Sequence, residues 1–336
     1  MNDITRQQSI GAILFQYDLY PNHIETHGKV FKVETNHGTF ALKRTKMTRG
    51  EADWFIYVLR KLDRDGFPFV VPVLQTKYGD YVVSDGEYTH YLMPWYEDRQ
   101  QVNSQLQPEE TMVEELAKLH GLTEKTQNGD RDSLDDSYQN LKNRWDRRKL
   151  EIEKYVDTIE QHTYYSPFEL TLLTHFERTS FMAQQAERHL QKWLEKSKEK
   201  KKIRRVLCHG KPIRNHTRFD ENGTAYFLNF EKAVLDTPAR DLALLFRHFF
   251  QVRPWDELEG QHWLTIYEKN FAFFDEEKHL FISYLAFPEN IYQMIDHYTD
   301  PQRTKSEIHM VMQLERRVLT MNRIQRLMNA LFPNHP

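Results

Sequence analysis

The sequence predicts an α+β protein in which a small β-rich amino-terminal lobe precedes a larger helical lobe. Two hairpin patterns lie within the first 93 residues and are separated by one amphipathic helical pattern. After Pro94 long helical patterns take over, interrupted by short strands only between residues 206 and 230. Strands and helices that are segregated along a chain in this way favour an α+β architecture. We therefore expect two domains, residues 1–93 and 94–336, with Pro94 as the hinge between them.

Strand patterns define the first lobe. Residues 29–35 alternate apolar and polar side chains, and residues 39–44 return as a second strand after the turn-forming stretch Asn36-His37-Gly38. A second hairpin pattern covers residues 81–93 around Asp85-Gly86. Both patterns predict antiparallel pairs in a sheet with one buried face.

One helix is predicted between the hairpins, from about residue 49 to residue 65. Thr48 is a suitable N-cap, and Gly66 suits the position after the last turn. Pro68 and Pro72 then keep the following segment extended. The apolar residues at helical spacing are Trp54, Phe55, Val58, Leu59 and Leu62.

Helical patterns dominate the second lobe. The clearest cover residues 111–120, about 137–161 and 168–196, and further helical patterns run from residue 230 to the carboxyl end, with prolines as breaks. A basic stretch occupies residues 196–205. It is either a solvated helix end and loop or a contact patch for an acidic partner, and the sequence leaves both readings open.

Composition excludes several classes of function. The 336 residues are 39% hydrophobic and 28% charged with a formal net charge of −3, so no basic field exists that would hold nucleic acid. Cys208 is the single cysteine, which excludes an intrachain disulfide and favours a reducing compartment. The amino terminus lacks a signal-peptide pattern, and the apolar runs are far shorter than the ~20 residues of a membrane span. We expect cytoplasmic synthesis without membrane insertion.

Two residues of the first lobe match parts that phosphoryl transfer from ATP requires. That chemistry uses a lysine for the phosphates, a glutamate that holds the lysine, metal-binding groups and a base. Lys43 lies on the second strand of the first hairpin, and Glu51 lies in the first turn of the following helix. Lysines and glutamates at such positions are common on protein surfaces, so the two residues alone do not identify a function.

The order of the later motifs strengthens the match to proteins that transfer a phosphoryl group from ATP. Residues 116–121 read Leu-Ala-Lys-Leu-His-Gly, residues 207–210 read Leu-Cys-His-Gly, residues 228–231 read Leu-Asn-Phe-Glu, and Asp-Leu-Ala begins a helix at Asp241. This order resembles the aminoglycoside-phosphotransferase and choline-kinase branch of the kinase superfamily over most of residues 20–250. The resemblance implies a two-lobed, protein-kinase-like fold with a catalytic-like loop at residues 207–231. The nucleotide-site positions that it implies are Lys43, Glu51, Met93, Asn229 and Glu231.

Three substitutions depart from that branch at the positions that do its chemistry. Its catalytic loop reads His-Gly-Asp-x-x-x-x-Asn and is followed by a metal-binding Asp, whereas this chain has Lys211, His216 and Asn229 at the three positions. A lysine ammonium has no lone pair with which to accept a proton. Mg²⁺ prefers oxygen ligands, and a neutral amide brings no negative charge. We therefore predict a degenerate site that has lost most of the catalytic apparatus, although Asn215, one residue early, could serve if the loop slipped by one residue.

Partial replacements for the missing groups stay open. Glu231 could bring a carboxylate towards a metal if its segment is extended, and Lys211 could neutralise a phosphate directly. Gly28 is the only glycine in residues 24–33, where a phosphate-binding loop would use several, and its neighbours His27 and Lys29 suit a turn better than a ligand site. No cofactor is expected, although binding of ATP with or without Mg²⁺ is not excluded.

Three further residues have structural interpretations. The resemblance gives His209 the role of bracing the loop by hydrogen bonds and gives Asp241 the role of capping its helix and anchoring the loop backbone. Cys208 is better explained as a buried structural residue than as a nucleophile, because neighbours in a strand, here Cys208 and His209, point to opposite faces.

Within the kinase-like branch, the altered loop is similar to the spore-coat-associated proteins of bacilli of the CotS type. The stretch Tyr-Leu-Met-Pro-Trp at residues 91–95 and the His-Gly-Lys-Pro loop at residues 209–212 carry this resemblance, and the branch called YsxE is the best match within it. The resemblance implies synthesis in the mother-cell cytoplasm, deposition on the spore coat and other coat proteins as partners. The predicted function is that of a catalytically impaired coat or assembly component; the alternative is an ATP-dependent phosphotransferase acting on an amino alcohol or a sugar.

Overall fold

The computed structural model describes residues 10–97, 107–128, 131–200 and 202–333. Its helices in chain order are α1 (10–15), α2 (Arg49–Arg64), α3 (Pro108–Thr123), α4 (Arg131–Glu160), α5 (Pro167–Lys198), α6 (Pro238–Val252), α7 (Glu257–Asn270), α8 (Asp275–Ala286), α9 (Glu289–Thr299) and α10 (Glu307–Leu331). Its strands are β1 (Pro21–His27), β2 (Val30–Thr35), β3 (Gly38–Thr45), β4 (Val83–Ser84), β5 (Thr89–Pro94), β6 (Lys125–Asn128), β7 (Lys202–Cys208), β8 (Thr217–Phe219), β9 (Ala225–Phe227) and β10 (Val234–Asp236).

The chain forms two units whose division differs from the expected boundary at Pro94. Residues 1–115 and 209–234 form the first unit, and residues 116–208 and 235–336 form the second. The catalytic-like segment 209–234 therefore belongs to the β-rich unit. Its backbone is hydrogen-bonded there: the Val71 N–H donates to the Phe227 carbonyl at 2.8 Å, and the Phe227 N–H donates to the Phe69 carbonyl at 2.9 Å.

An antiparallel five-stranded sheet is the frame of the first unit, in the order β1-β2-β3-β5-β4. Both predicted hairpins are confirmed. Strand β1 has no counterpart in the sequence analysis, because six of its seven residues are exposed and its side chains show no apolar alternation. The sheet and helix α1 bury a common core that includes Leu14, Phe31, Val33, Leu42 and Leu92.

Helix α2 confirms the predicted helix and its cap. Thr48 is the N-cap, and its hydroxyl and the carboxylate of Glu51 form a reciprocal capping box. Gly66 follows the helix with a φ of 72°, a conformation that only glycine adopts without strain. Four of the five predicted apolar residues are buried, and the fifth, Trp54, donates its indole N–H to the Ala233 carbonyl at 2.7 Å.

The second unit is built from long helices and a three-stranded sheet in the order β10-β7-β6. Helices α4 and α5 are 30 and 32 residues long, and α5 packs against α4, α8 and α10. Helices α6, α7 and α8 bury an aromatic core formed by Phe246, Phe249, Trp263 and Phe281. None of the described helices combines the length and the apolar character needed to cross a membrane.

Candidate functional site

A buried ion pair lies at the centre of the candidate site in the first unit. Lys43 on β3 places its Nζ 2.5 Å from Glu231 Oε1, and only 13% and 10% of the two side chains are exposed. Tyr91, opposite Lys43 in the β3–β5 register, donates its hydroxyl to the same Glu231 oxygen at 2.7 Å. The Tyr91 oxygen also lies 3.2 Å from Asn229 Oδ1. The structure therefore brings together three predicted site residues and one, Tyr91, that the sequence analysis did not select.

The electrostatics of the pair follow from its burial. Burial lowers the pKa of Lys43, with a smaller effect in the same direction from the Lys211 and Lys29 charges, and Glu231 opposes the shift without cancelling it. Burial alone would raise the pKa of Glu231, but the Lys43 charge and the hydrogen bonds from Lys43 and Tyr91 hold it below its usual value. Burial and the Glu231 charge raise the pKa of Tyr91 well above its usual value, so its phenol stays a donor. Glu231 is therefore held as a carboxylate by two donors.

The expected pairing of Lys43 with Glu51 is not formed. The Glu51 carboxylate accepts the Thr48 N–H at 2.9 Å in the capping box of α2. The cation beside this carboxylate is Lys232, whose Nζ lies 3.6 Å from Glu51 Oε1. These hydrogen bonds and the Lys232 charge lower the pKa of Glu51. A glutamate three residues after the N-cap satisfies its own helix end first, which is why it is not available to the lysine.

The catalytic-like loop is held by its backbone and by His209. His209 Nε2 lies 3.0 Å from the Leu228 carbonyl oxygen, and His209 Nδ1 accepts the Lys211 N–H at 3.2 Å. Gly210 has a φ of 79°, and a Cβ built on it would lie 1.9 Å from the Lys232 carbonyl oxygen. His209 therefore makes hydrogen bonds that brace the loop. Because any Cβ at position 210 would overlap the Lys232 carbonyl, only glycine fits at that position.

Lys211 and His216 lie at the loop positions where the sequence comparison with kinase-like proteins expects a base and a metal ligand. The Lys211 side chain is exposed, while its carbonyl lies 3.1 Å from His216 Nδ1. A carbonyl can only accept, so Nδ1 carries the proton of a neutral ring and Nε2 carries the lone pair. Burial, followed by the nearby His209, Lys43 and Lys211, lowers the pKa of His216 to about 4. The ring is therefore neutral at pH 7.

The donor set does not fit a magnesium ion bound with ATP. Asn229 adopts a left-handed conformation with a φ of 72° and offers a neutral amide. Glu231 is the carboxylate of this segment, and one of its oxygens is already shared by Lys43 and Tyr91. His216 offers nitrogen, which Mg²⁺ binds poorly. Met93 is buried on β5, opposite Ala41, and contributes an apolar wall.

The rim of the site holds the glycine turn and an open cleft. Gly28 turns the chain between β1 and β2 with a φ of 63°, and the His27 ring lies 5.7 Å from that of Trp95. A cleft of about 750 Å³ is present in the first unit. Its lining residues are Trp95, Tyr96, Glu97, Arg214, Asn215 and Arg218.

Asp241 lies in the second unit, and its predicted capping role is wrong. Helix α6 is capped by Thr237, whose hydroxyl accepts the Ala239 N–H, whereas Asp241 lies one turn inside the helix and is fully buried. Its Oδ2 lies 3.4 Å from His120 Nε2, and the other nitrogen of His120 lies 2.6 Å from the Tyr267 hydroxyl. Cys208 is buried nearby, with its thiol hydrogen-bonded to the Thr237 carbonyl at 3.3 Å.

Most of the described basic residues in the stretch 196–205 are paired within their own unit. Lys196, Lys198 and Lys200 lie 3.5, 2.5 and 2.8 Å from the carboxylates of Asp275, Asp135 and Glu276. The guanidinium of Arg204 binds the Glu277 carboxylate in a buried pair. Lys201 lies outside the described residues. The solvated, internally paired reading of this stretch is therefore favoured over a patch for an acidic partner.

Comparison with known families identifies the class of protein. The family model described as "spore coat putative kinase YutH" matches residues 11–331. The chain belongs to this spore-coat kinase-like family, which confirms the predicted superfamily and spore-coat type. The branch that it matches is named for YutH, so the narrower match to the YsxE branch is not what the comparison found.

Solved structures show the same fold at low sequence identity. An aminoglycoside phosphotransferase from Alicyclobacillus acidocaldarius aligns with a TM-score of 0.75 and 17% identity, covering 95% of this chain and 94% of that one. An AMP-bound spectinomycin phosphotransferase aligns with a TM-score of 0.63 and 13% identity over 98% and 99% of the two chains. A microcompartment-associated aminopropanol kinase aligns with a TM-score of 0.57 and 12% identity over 96% and 98%. No curated protein matches the chain.

Proposed function

We propose that this protein is a catalytically impaired kinase fold that acts as an assembly component of the spore coat. Membership in the spore-coat kinase-like family supports the association with the coat and the kinase fold. The catalytic impairment is inferred from the residues of the site. The observation that carries the proposal is the buried Lys43–Glu231 pair, because it uses the phosphate-binding lysine and the carboxylate of the metal-binding segment to neutralise each other.

A lysine paired with a glutamate is not by itself a sign of inactivity, since working kinases hold their phosphate-binding lysine in this way. The difference lies in the source of the carboxylate. In this chain it comes from Glu231, two residues after Asn229, and not from helix α2. Glu231 Oε1 accepts from both Lys43 and Tyr91, so the Glu231 charge is already compensated by Lys43, and Asn229 adds no charge.

The loop position of the base supports the same conclusion. Lys211 carries an ammonium where a proton acceptor is required, and the neutral ring of His216 presents a nitrogen where an oxygen ligand is required. ATP would thus meet neither a base nor a complete metal site. We infer that the protein works through its surface, with synthesis in the mother-cell cytoplasm, deposition on the spore and other coat proteins as partners.

The alternative function is ATP-dependent phosphorylation of an amino alcohol or a sugar. It is favoured by the convergence of Lys43, Asn229 and Glu231, which could bind a nucleotide and a metal if Glu231 exchanged Lys43 for the ion. A kinase-fold protein solved with AMP-PNP and Ca²⁺ illustrates the ligands such a fold can take.

Calorimetric titration of the whole chain with ATP, with and without Mg²⁺, separates the two functions. We expect no Mg²⁺-dependent binding and no phosphate release by the unaltered protein. The Lys211→Asp, Asn229→Asp double variant restores the missing carboxylates, so a gain of Mg²⁺-dependent ATP binding in that variant alone would show that these positions cause the impairment. Mg²⁺-dependent turnover by the unaltered protein that is lost in Lys43→Met would overturn the proposal in favour of the kinase.

A further inference from the structure

Helices α5 and α10 of the second unit present an exposed apolar face. On α10, Ile308, Met312 and Leu319 are 69%, 53% and 55% exposed. Their spacing of four and seven residues places them on one side of the helix. That side is opposite the buried row of the same helix, which includes Met310, Leu314, Val318, Met321 and Met328. Helix α10 is therefore apolar on two sides, although the core covers only one.

Helix α5 carries a matching row beside it. Leu170 and Phe181 are 56% and 39% exposed, and their separation of eleven residues, three helical turns, places them on one side of α5. The two helices run in the same direction. The Phe168 N–H donates to Glu307 at the start of both, and further along Arg178 donates to the Gln325 side chain at 3.3 Å.

Contacts between the two helices place the two rows beside each other. His175 on α5 lies 3.5 Å from Glu315 on α10. Glu315 lies between Met312 and Leu319 in the exposed row of α10, at spacings of three and four residues, and Arg178 lies three residues before Phe181. These cross-helix contacts place the rows side by side. We call the surface formed by Leu170, Phe181, Ile308, Met312 and Leu319 the α5–α10 face.

Two arginines give this face its charge. Arg316 and Arg323 follow Met312 and Leu319 by four residues each and so border the apolar row. Neither has a carboxylate within 4 Å among the described residues, whereas Arg326 on the same helix is paired with Glu257 at 3.8 Å. The acidic groups of the face are Glu177 and Glu315, and Glu315 already faces His175.

We propose that the α5–α10 face docks an amphipathic helix of a partner protein, with acidic residues along the flank that meets Arg316 and Arg323. A pair of parallel helices that expose apolar rows side by side suits the apolar stripe of a third helix, and exposed apolar clusters rimmed by charge mark such sites. A second copy of this chain fits less well. In a dimer, Arg316 and Arg323 of one copy would need acidic partners on the same face of the other copy. Glu315 already faces His175, so only Glu177 is left, and it stands next to Arg178. The inference rests on the proposed role as an assembly component and names its docking surface.

Site-directed photocrosslinking in sporulating cells tests the proposal. The full chain carries a photoreactive phenylalanine at Met312 or Leu319, with Leu150 on α4, which is 51% exposed, as the matched control. We expect one adduct at the first two positions that is missing at the third, and a helical segment with an acidic flank at the site of attachment. A synthetic peptide of that segment should bind the purified full chain, and Met312→Glu should weaken its binding at least ~10-fold, equivalent to about 1.4 kcal/mol.

Charge-reversal variants and the identity of the crosslinked protein test the proposal further. Arg316→Glu with Arg323→Glu should weaken the acidic peptide and remove the salt dependence of its binding, while Leu150→Glu should change neither. An adduct with a second copy, supported by a dimer in sedimentation that Met312→Glu dissociates, would overturn the proposal in favour of self-association. Labelling at Met312 that is no stronger than at Leu150, or an attached segment without acidic residues, would overturn it too. None of these readouts depends on ATP, so failure of this docking surface and failure of the proposed function are distinguishable.

Discussion

Substitution of Glu231 by Gln isolates the energetics of the buried pair. Gln keeps the shape of the side chain but removes the charge, so the Lys43 ammonium loses its ion-pair partner while it stays largely buried. Removal of one partner of a buried ion pair costs about 3–5 kcal/mol, because the other charge is left uncompensated. Lys43 retains a small exposed fraction, so we expect the lower end, about 3 kcal/mol of unfolding free energy at pH 7.

The pH dependence of the same variant gives a second, independent readout. The pKa of Lys43 is lower in the folded protein than in the unfolded chain, and loss of the opposing Glu231 charge lowers it further. The unfolded state then binds more protons over the interval between the two pKa values, so the stability of Glu231→Gln rises with pH there. The difference from the unaltered protein should therefore shrink as the solution becomes alkaline, up to the usual pKa of lysine.

Urea unfolding followed by Trp fluorescence measures both effects. The matched control is Glu34→Gln, which breaks the more exposed pair of Lys32 and Glu34 at 3.4 Å in the same sheet and should cost less than about 1 kcal/mol. The Lys43→Met, Glu231→Gln double variant should recover much of the loss, because no unpaired charge remains. A cost for Glu231→Gln no larger than that of the control, unchanged between neutral and alkaline pH, would refute the reasoning.

Three further predictions concern the loop and the thiol. Gly210→Ala should destabilise the protein by more than about 2 kcal/mol, because its Cβ would overlap the Lys232 carbonyl at a positive φ, whereas Gly50→Ala, with open space around it, should be neutral or stabilising in the same urea titration. His216 has a folded pKa of about 4 against 6.5 for the free side chain, so stability should fall as pH drops through that interval, by at most about 3 kcal/mol. A His216→Asn variant with the same acid profile as the unaltered chain would contradict this. Burial raises the pKa of the Cys208 thiol well above its usual value, so it should resist a disulfide reagent in the native protein and react once urea unfolds the chain; rapid native labelling would show that the strand opens.

Local features were predictable because neighbouring residues encode them. Alternation and turn residues gave the hairpins around Gly38 and Gly86, and Thr48 as the N-cap gave the start of α2. The positions of Lys211 and Asn229 within ordered motifs led to the prediction of a degenerate site. Strand β1 was not predicted, because its side chains are mostly exposed and do not alternate between apolar and polar residues.

The identity of the partner of Lys43 could not be predicted in the same way. Local pattern favoured Glu51, but that carboxylate satisfies its own helix end, and the partner is a glutamate 188 positions further along the chain. Tyr91 carried one usable signal, since the pairing of the two predicted hairpins can place it opposite Lys43, but the register that does so was not readable from either strand alone.

The sequence by itself determined the α+β class, the order of the kinase-like motifs and the presence of Lys211, His216 and Asn229 within those motifs, because these depend on residue identity and short-range pattern. Only the tertiary structure decided that Lys43 pairs with Glu231, which also accepts the Tyr91 hydroxyl, that Thr237 and not Asp241 caps α6, and that most described basic residues of the stretch 196–205 are paired internally. It also decided that α5 and α10 expose their apolar rows side by side. The physical reason is the same in each case: charges and apolar faces are satisfied by whichever group the packing brings within reach, and that group is distant in sequence.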